Sequence, residues 1–149
     1  MITILLLSIA GAVIAAVVGT LWYSPKTPMG KVHMQFLGFD ALSPEEQQKK
    51  IAEAKPTMPK LYAAQMLLSL LTAFAVVVII TMSMQNGIPF TIALGFVAFN
   101  WLCFVVPTIG AGVIWSNCER KIAWKHFFSD IFCNLLTIVL TATLTSFFV

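Results

Sequence analysis

Charged residues are scarce in this chain. Lys, Arg, Asp and Glu make up only 10% of its 149 residues, whereas an average soluble domain contains about 25%. Hydrophobic residues make up 59%, which is more apolar surface than a domain of this length can hide from water. The composition therefore excludes a soluble globular enzyme, a disordered chain and a protein that binds nucleic acid. It indicates an integral membrane protein.

Motifs for catalysis or metal binding are also missing. The cysteines Cys103, Cys118 and Cys133 form no CxxC pair, so they predict neither a disulfide framework nor a zinc site. His33 and His126 are the only histidines, and we interpret His33 as an interfacial residue. No nucleophile elbow, Walker loop, HExxH or paired-carboxylate pattern is present. We therefore predict no catalytic residue, no cofactor and no metal.

Four long apolar segments dominate the sequence. They cover residues 2–22, 61–84, 88–115 and 124–149, and each exceeds the ~20 residues that a helix needs to cross a bilayer. Because backbone amides in lipid must bond within their own segment, these segments are predicted to be helices. The first segment lacks a positively charged start and is too long for a signal peptide, so we expect it to be retained. We predict a single all-α domain over residues 1–149, an integral membrane four-helix bundle.

One sizeable polar loop, residues 23–60, separates the first two segments. Within it, Ser43 followed by Pro44 and Glu46 is typical of a capping box with proline at the first helical position. We predict that a short amphipathic or soluble helix begins there. The stretch 30–39 carries several apolar residues, and we expect it to lie along the membrane surface.

All nine basic residues fall on one side of the predicted bundle. Six lysines lie in the first loop and at its edge, and Arg120, Lys121 and Lys125 lie at the third loop. The opposite side holds both chain termini and the turn at 85–87 and has no basic residue. By the positive-inside rule both basic loops are cytoplasmic and both termini lie outside. The expected location is a bacterial inner membrane.

The fourth segment carries a line of polar side chains. They recur at every third or fourth position: His126, Asp130, Asn134, Thr137, Thr141 and Thr145. At ~100° per residue, this spacing places them on one face of a helix. The opposite face is then expected to contact lipid, and it carries Phe127, Ile131, Leu135, Ile138, Val139 and Leu140. A polar line along a membrane helix faces either protein or water.

Among the residues of this line, Asp130 has the highest free-energy cost of insertion into a membrane. A lone carboxylate inside a membrane helix costs about 2.5–3.5 kcal/mol on insertion scales, so a partner is expected. One interpretation is a titratable pair with His126 at the cytosolic end of a pathway, with Asn134 and Asn100 as further members. The other interpretation is an interfacial ion pair with Arg120 or a lysine of the first loop. The sequence leaves both open.

The third segment carries a polar residue near mid-membrane, Asn100. A mid-membrane asparagine is either a bridge between helices or a ligand. Asn100, Cys103 and Pro107 share a face that is able to meet the polar line of the fourth segment. Pro107, followed by Gly110, predicts a kink or a close helix contact in this segment.

The first segment carries a ridge of small residues, Gly11, Ala15 and Gly19. Such a ridge lets two helices approach closely, either within one protomer or between protomers. Together with the missing catalytic motifs, it favours a non-enzymatic membrane protein, in contact with lipid, that acts as a homo-oligomer or as a subunit of a larger membrane complex. The alternative is a channel or carrier for protons or a small polar solute along the polar line. A third possibility is an intramembrane lipid-binding protein or enzyme that uses the same cleft.

A resemblance to a known family rests on several short motifs. These are Trp22-Tyr23-Ser24-Pro25, then Gly30, Met34 and Gly38, the stretch 95–107, and Glu119-Arg120 before an aromatic-rich last helix. In these motifs and in its layout the chain resembles the membrane-protein family called domain of unknown function 1761. The resemblance implies a four-helix integral membrane protein without an assigned activity. It implies no catalytic residue.

Overall fold

The computed structural model describes every residue from Met1 to Val149, and all of its regular structure is helical. The helices are α1 (Ile2–Trp22), α2 (Pro28–Phe36), α3 (Pro44–Ala54), α4 (Met58–Gln85), α5 (Phe90–Asn100), α6 (Val106–Ile114) and α7 (Arg120–Ser146). A π-helical turn, Trp101–Val105, joins α5 to α6, and the three together form one span, Phe90–Ile114. With α1, α4 and α7, this gives four helices that are long and apolar enough to cross a membrane. The predicted all-α membrane bundle is therefore confirmed.

The short helix of the first loop begins where the capping box predicts. The Glu46 amide donates to Ser43 Oγ at 3.3 Å, and the Ser43 amide donates back to Glu46 Oε2 at 2.8 Å. Pro44 occupies the first helical position, where its missing N–H has no partner to lose. No residue of α3 is buried. This helix is therefore held by its own cap and by hydrogen bonds from Gln47 Nε2 to the Phe39 and Leu42 carbonyl oxygens, rather than by burial.

The third span is interrupted by its π-helical turn. Pro107 lies in the first turn of α6 and cannot donate a backbone hydrogen bond. A proline ring also crowds the carbonyl four residues earlier, here that of Cys103, inside the π turn. The wider turn accommodates this crowding. The helix thus passes the proline by changing its hydrogen-bond pattern.

Helix α7 is the central element of the bundle. It contacts α1, α2, α4, α5 and α6, so neighbours cover several of its sides. The expectation that Phe127, Ile131 and Ile138 face lipid is therefore wrong, because all three are buried among these neighbours. The exposed side of α7 is a row of large apolar residues at a spacing of four: Trp124, Phe128, Phe132, Leu136 and Leu140. Of the residues expected to contact lipid, Leu140 alone belongs to this row.

The register between α1 and α7 decides where the polar residues meet. The two helices run antiparallel, with Gly11 packed against Thr141 and Trp22 bonded to Ser129. Ser129 lies nine residues into α7, or about 13 Å at 1.5 Å per residue. The first turns of α7 therefore extend beyond the end of α1. Helix α2 covers that extension, so the stretch predicted to lie along the membrane surface instead packs in part against α7.

Candidate functional site

A tight turn after α1 directs α2 back onto α7. Thr27 caps α2, since its Oγ1 accepts from the Gly30 amide at 2.9 Å and lies 2.7 Å from the Trp22 carbonyl oxygen. Gly30 is buried, and a Cβ at this position would lie 1.9 Å from the Ser24 carbonyl oxygen. Only glycine fits such a close approach of two backbone segments. The motif that begins at Trp22 thus encodes the path of the chain.

The aromatic pair at the end of α1 bonds to α7. Trp22 Nε1 donates to Ser129 Oγ at 2.9 Å. The next residue, Tyr23, donates its phenolic hydrogen to Asp130 Oδ1 in a very short contact. Ser129 is buried and Asp130 is half-buried. These two bonds fix the end of α1 at the level of Asp130, so this carboxylate has a donor from another helix.

Two histidines complete the arrangement on the other side of Asp130. His126 Nδ1 lies 3.3 Å from Asp130 Oδ2, but off the axis of a hydrogen bond, so their attraction is chiefly electrostatic. His126 Nε2 lies 2.8 Å from His33 Nδ1 of α2. Tyr23, Asp130, His126 and His33 therefore form one connected set of titratable side chains, which we call the polar cluster.

Aromatic rings enclose the polar cluster. The Phe36 ring of α2 stacks on His126 with 4.0 Å between centroids and 13° between planes. His126 is buried, with only 6% of its surface exposed. On the opposite side, the rings of Tyr23 and His33 lie 4.8 Å apart. His126 thus has little contact with water, whereas Tyr23, His33 and Asp130 are half-buried. The buried ring depends on its neighbours in the cluster for hydrogen bonds.

The enclosure shifts the pKa values of the two cluster members that lie outside the spans. Burial raises the pKa of the Tyr23 phenol, and its hydrogen bond to Asp130 and the negative charge there raise it further. Burial lowers the pKa of His33, and the opposing attraction of Asp130 is the smaller effect. Tyr23 is therefore held as a hydrogen-bond donor, and His33 stays neutral down to a lower pH than an exposed histidine would.

A cavity of about 210 Å³ lies between α1, α4 and α7, on the far side of Asn134 from the polar cluster. Its polar lining consists of uncharged groups: Gln65, Ser69, Thr72, Asn134, Thr137 and Thr141. Asn134 follows Asp130 by one helical turn, and its buried Oδ1 has no hydrogen-bond partner. The lining also includes the exposed Gln65. Toward the opposite side, the apolar core around Ile80 and Ala142 closes the bundle.

The structure places the candidate pathway residues in two separate regions. His126 and Asp130 are in contact, and Asn134 lies one turn further along the cavity wall. Asn100 does not join them, because it is exposed on the outer surface of the third span and donates to the Phe96 carbonyl oxygen at 2.8 Å. The expectation that Asn100, Cys103 and Pro107 share a face toward the polar line is wrong, since all three face away from α7.

The ion pair considered for Asp130 is absent. No lysine or arginine nitrogen lies within 4.0 Å of its carboxylate. The chain folds so that a tyrosine and a histidine occupy its two oxygens instead. Arg120 donates to the Ile114 carbonyl oxygen at 3.2 Å, which ties the third loop together.

The small-residue ridge of α1 divides into three environments. A Cβ at Gly11 would lie 2.6 Å from Thr141 Cγ2 and 2.8 Å from Ala73 Cβ, so this position packs within the chain. Ala15 lines the cavity. A Cβ at Gly19 would meet nothing within 4 Å. Close packing is thus a property of Gly11 and not of the whole ridge.

Tyr23 and His33 are the two cluster residues that the sequence did not predict. His33 was interpreted as an interfacial residue, yet it contacts a histidine 93 residues away. Tyr23 stands in the sequence analysis only as part of the family motif, yet its hydrogen-bond partner, Asp130, lies 107 residues along the chain. The one signal in the sequence was the motif from Trp22 to Gly30, which contains Tyr23 and precedes His33. Its spacing is explained by the structure, in which Gly30 lets α2 fold back onto α7.

Four apolar spans, a central fourth span and a half-buried polar cluster at one end define a small helical membrane protein. The chain matches the family described as "Protein of unknown function (DUF1761)" over residues 6–146. It belongs to this family, as its motifs indicated. No curated protein and no solved structure matches it.

Proposed function

We propose that the protein carries protons, or a small polar solute coupled to protons, between the basic side of the membrane and the cavity in its bundle. One observation supports this proposal above others. The polar cluster leads from His33, at the basic end, through His126 to Asp130, and Asn134 in the cavity wall is one turn further on. Titratable groups inside a membrane protein commonly mark proton or ion pathways.

The geometry of the cluster suits proton transfer. If His126 holds its proton on Nδ1, facing Asp130, then Nε2 accepts from His33 Nδ1. A proton that reaches His33 can then pass to His126 Nε2. Release of the His126 Nδ1 proton to Asp130 Oδ2, 3.3 Å away, requires the imidazole to turn onto the axis of that contact. The hydrogen bond from Tyr23 stabilises the Asp130 carboxylate until that proton arrives. Asp130 and His126 are therefore the proposed transfer residues, with Tyr23 as the positioning residue.

A carrier fits the cavity better than an open pore does. The lining includes exposed Gln65 on the basic half, and the core around Ile80 closes the opposite half. A solute that enters from the basic side meets amide and hydroxyl groups and no charge. Release on the opposite side requires the helices to separate there.

We further propose that the basic side is the cytoplasm of a bacterial inner membrane, with both termini outside. The support is the charge distribution, since all nine basic residues lie on one side of the spans. A reporter enzyme that is active only outside the cytoplasm, fused to Val149, is expected to be active. Inactivity of that fusion would reverse the orientation.

The test of transport is proton flux into proteoliposomes that enclose a pH-sensitive dye. Wild-type protein is expected to raise the flux above that of empty vesicles, and Asp130→Asn is expected to lower it at least about tenfold because the amide cannot titrate. Glu53→Gln is the matched control, since it neutralises an exposed carboxylate of α3 on the same side. Flux equal to that of empty vesicles, or flux unchanged in Asp130→Asn, would contradict the proposal.

The second proposal is a non-enzymatic subunit of a homo-oligomer or larger membrane complex. The observation in its favour is the exposed surface of the third span. Only 11% of the most apolar 18-residue stretch of this span is buried within the protein. Proteoliposomes without flux would favour it. Replacing Gly11 by leucine would not test assembly, because the larger side chain would clash with Thr141 and Ala73 of the same chain.

A further inference from the structure

The third span has an outward face that lipid alone does not explain. Only 11% of its most apolar 18-residue stretch is buried within the protein, whereas the corresponding share is 22% to 39% in the other three spans. Phe99, Leu102 and Phe104 on this span are each more than half exposed, as lipid contact requires. Asn100 is exposed beside them, although lipid tails offer a hydrogen-bonding side chain nothing.

Asn100 is only partly satisfied within its own chain. It ends the 11-residue helix α5 and so lies near the middle of a 25-residue span. One amide hydrogen goes to the Phe96 carbonyl oxygen, 2.8 Å from Nδ2. The second amide hydrogen and Oδ1 have no partner in the chain. In the hydrocarbon core no water is available to supply them.

We infer that a second copy of this chain packs against this face, with the two Asn100 side chains bonded to each other. A two-fold axis brings the same residue from both copies together. Each asparagine amide has one free donor and one free acceptor, so two of them satisfy each other reciprocally. Cys103, Pro107 and Ala111 are exposed on the same face and are small enough for the two backbones to approach closely.

The ridge of α1 does not compete for this role. Gly11 is occupied inside the protomer by Thr141 and Ala73. The dimer face lies on the third span, which contributes no residue to the cavity or to the polar cluster. The inference does not depend on transport, since assembly and proton flux are measured separately.

Cys103 provides a native reporter of this contact, because it is exposed one turn from Asn100. Copper-phenanthroline oxidation of the full-length protein in lipid vesicles is expected to produce a disulfide-linked dimer, and Cys103→Ser is expected to produce none. The bond forms only when the two Cα atoms come within about 7 Å. Mass spectrometry of the product distinguishes two copies of this chain from a copy joined to another protein.

The amide itself is tested by energy transfer between labelled copies at several protein-to-lipid ratios. Asn100→Leu is expected to lower the dimer association constant at least about tenfold, and Asn100→Gln, which keeps the amide, is expected to retain it. Since the only bond of Asn100 lies within its own helix, Asn100→Leu leaves the fold intact, which circular dichroism checks. A monomer at every ratio, dimerisation unchanged in Asn100→Leu, or cross-links through Cys118 alone would overturn the inference.

Discussion

Replacing Gly11 by alanine tests whether the α1–α7 contact holds the bundle together. The added Cβ would lie 2.6 Å from Thr141 Cγ2 and 2.8 Å from Ala73 Cβ, whereas carbon atoms in contact prefer about 3.5–4.0 Å. Helix α1 must therefore move away from α4 and α7 by about 1 Å. Overpacking of this kind typically costs about 1–3 kcal/mol.

Gly19→Ala is the matched control for this change. It lies in the same helix, and its new Cβ would meet nothing within 4 Å. Both substitutions remove a glycine from a helix interior, which by itself stabilises by roughly 0.5–1 kcal/mol. The difference between the two variants therefore reports the packing cost alone, expected at about 1–3 kcal/mol.

The assay is reversible unfolding in mixed detergent micelles, followed by tryptophan fluorescence and far-ultraviolet circular dichroism. Gly19→Ala is expected to be as stable as the wild type or more stable, and Gly11→Ala is expected to be less stable than Gly19→Ala. Equal free energies of unfolding for the two variants would refute the packing of α1 described above. A larger loss of unfolding free energy in Gly19→Ala than in Gly11→Ala would mean that the close contact of α1 lies at Gly19 and not at Gly11.

Three further predictions concern local contacts. Trp22→Phe removes the donor to the buried Ser129 hydroxyl and is expected to cost about 1–3 kcal/mol of unfolding free energy, with a non-additive effect when combined with Ser129→Ala. Burial lowers the pKa of His33 in the folded protein below its ordinary value of 6.5, so near and below pH 6.5 the unfolded state binds more protons than the folded state does. The protection of the α2 amides, corrected for the intrinsic exchange rate at each pH, should therefore fall as pH falls through that value, and His33→Gln, which leaves the other cluster members in place, should weaken the dependence. Hydrogen bonds from Ser43 lower the pKa of Glu46 below 4.5, so the cap of α3 should persist above that pH and weaken below it, and Ser43→Ala should speed amide exchange in α3 at neutral pH.

The spans and the capped helix could be predicted because their causes are local. A bilayer requires about 20 apolar residues in a row, and a capping box is complete within four residues, as Ser43 and Glu46 show. The His126–Asp130 contact could also be predicted, since residues four apart on a helix are neighbours. In each case a short window of sequence contains both partners.

The rest of the cluster could not be predicted because its partners are distant in the sequence. Tyr23 reaches Asp130 only because α1 ends opposite Ser129, and His33 reaches His126 only because Gly30 lets α2 fold back. Neither the register of two helices nor a backbone approach leaves a periodic pattern. The prediction of which side of α7 contacts lipid was wrong for a related reason. A helix with neighbours on several sides buries apolar residues on more than one face.

The central position of α7 has a consequence for biosynthesis. Helix α7 leaves the ribosome after the other three spans, and the partner of Tyr23 is synthesised 107 residues later. At about 5–20 residues per second, this interval lasts roughly 5–20 s. During that time α1 and α4 can already pair, whereas α2 has nothing to dock against. A nascent chain truncated before Arg120 should therefore insert three spans and leave the segment around His33 open to proteases until the final helix arrives.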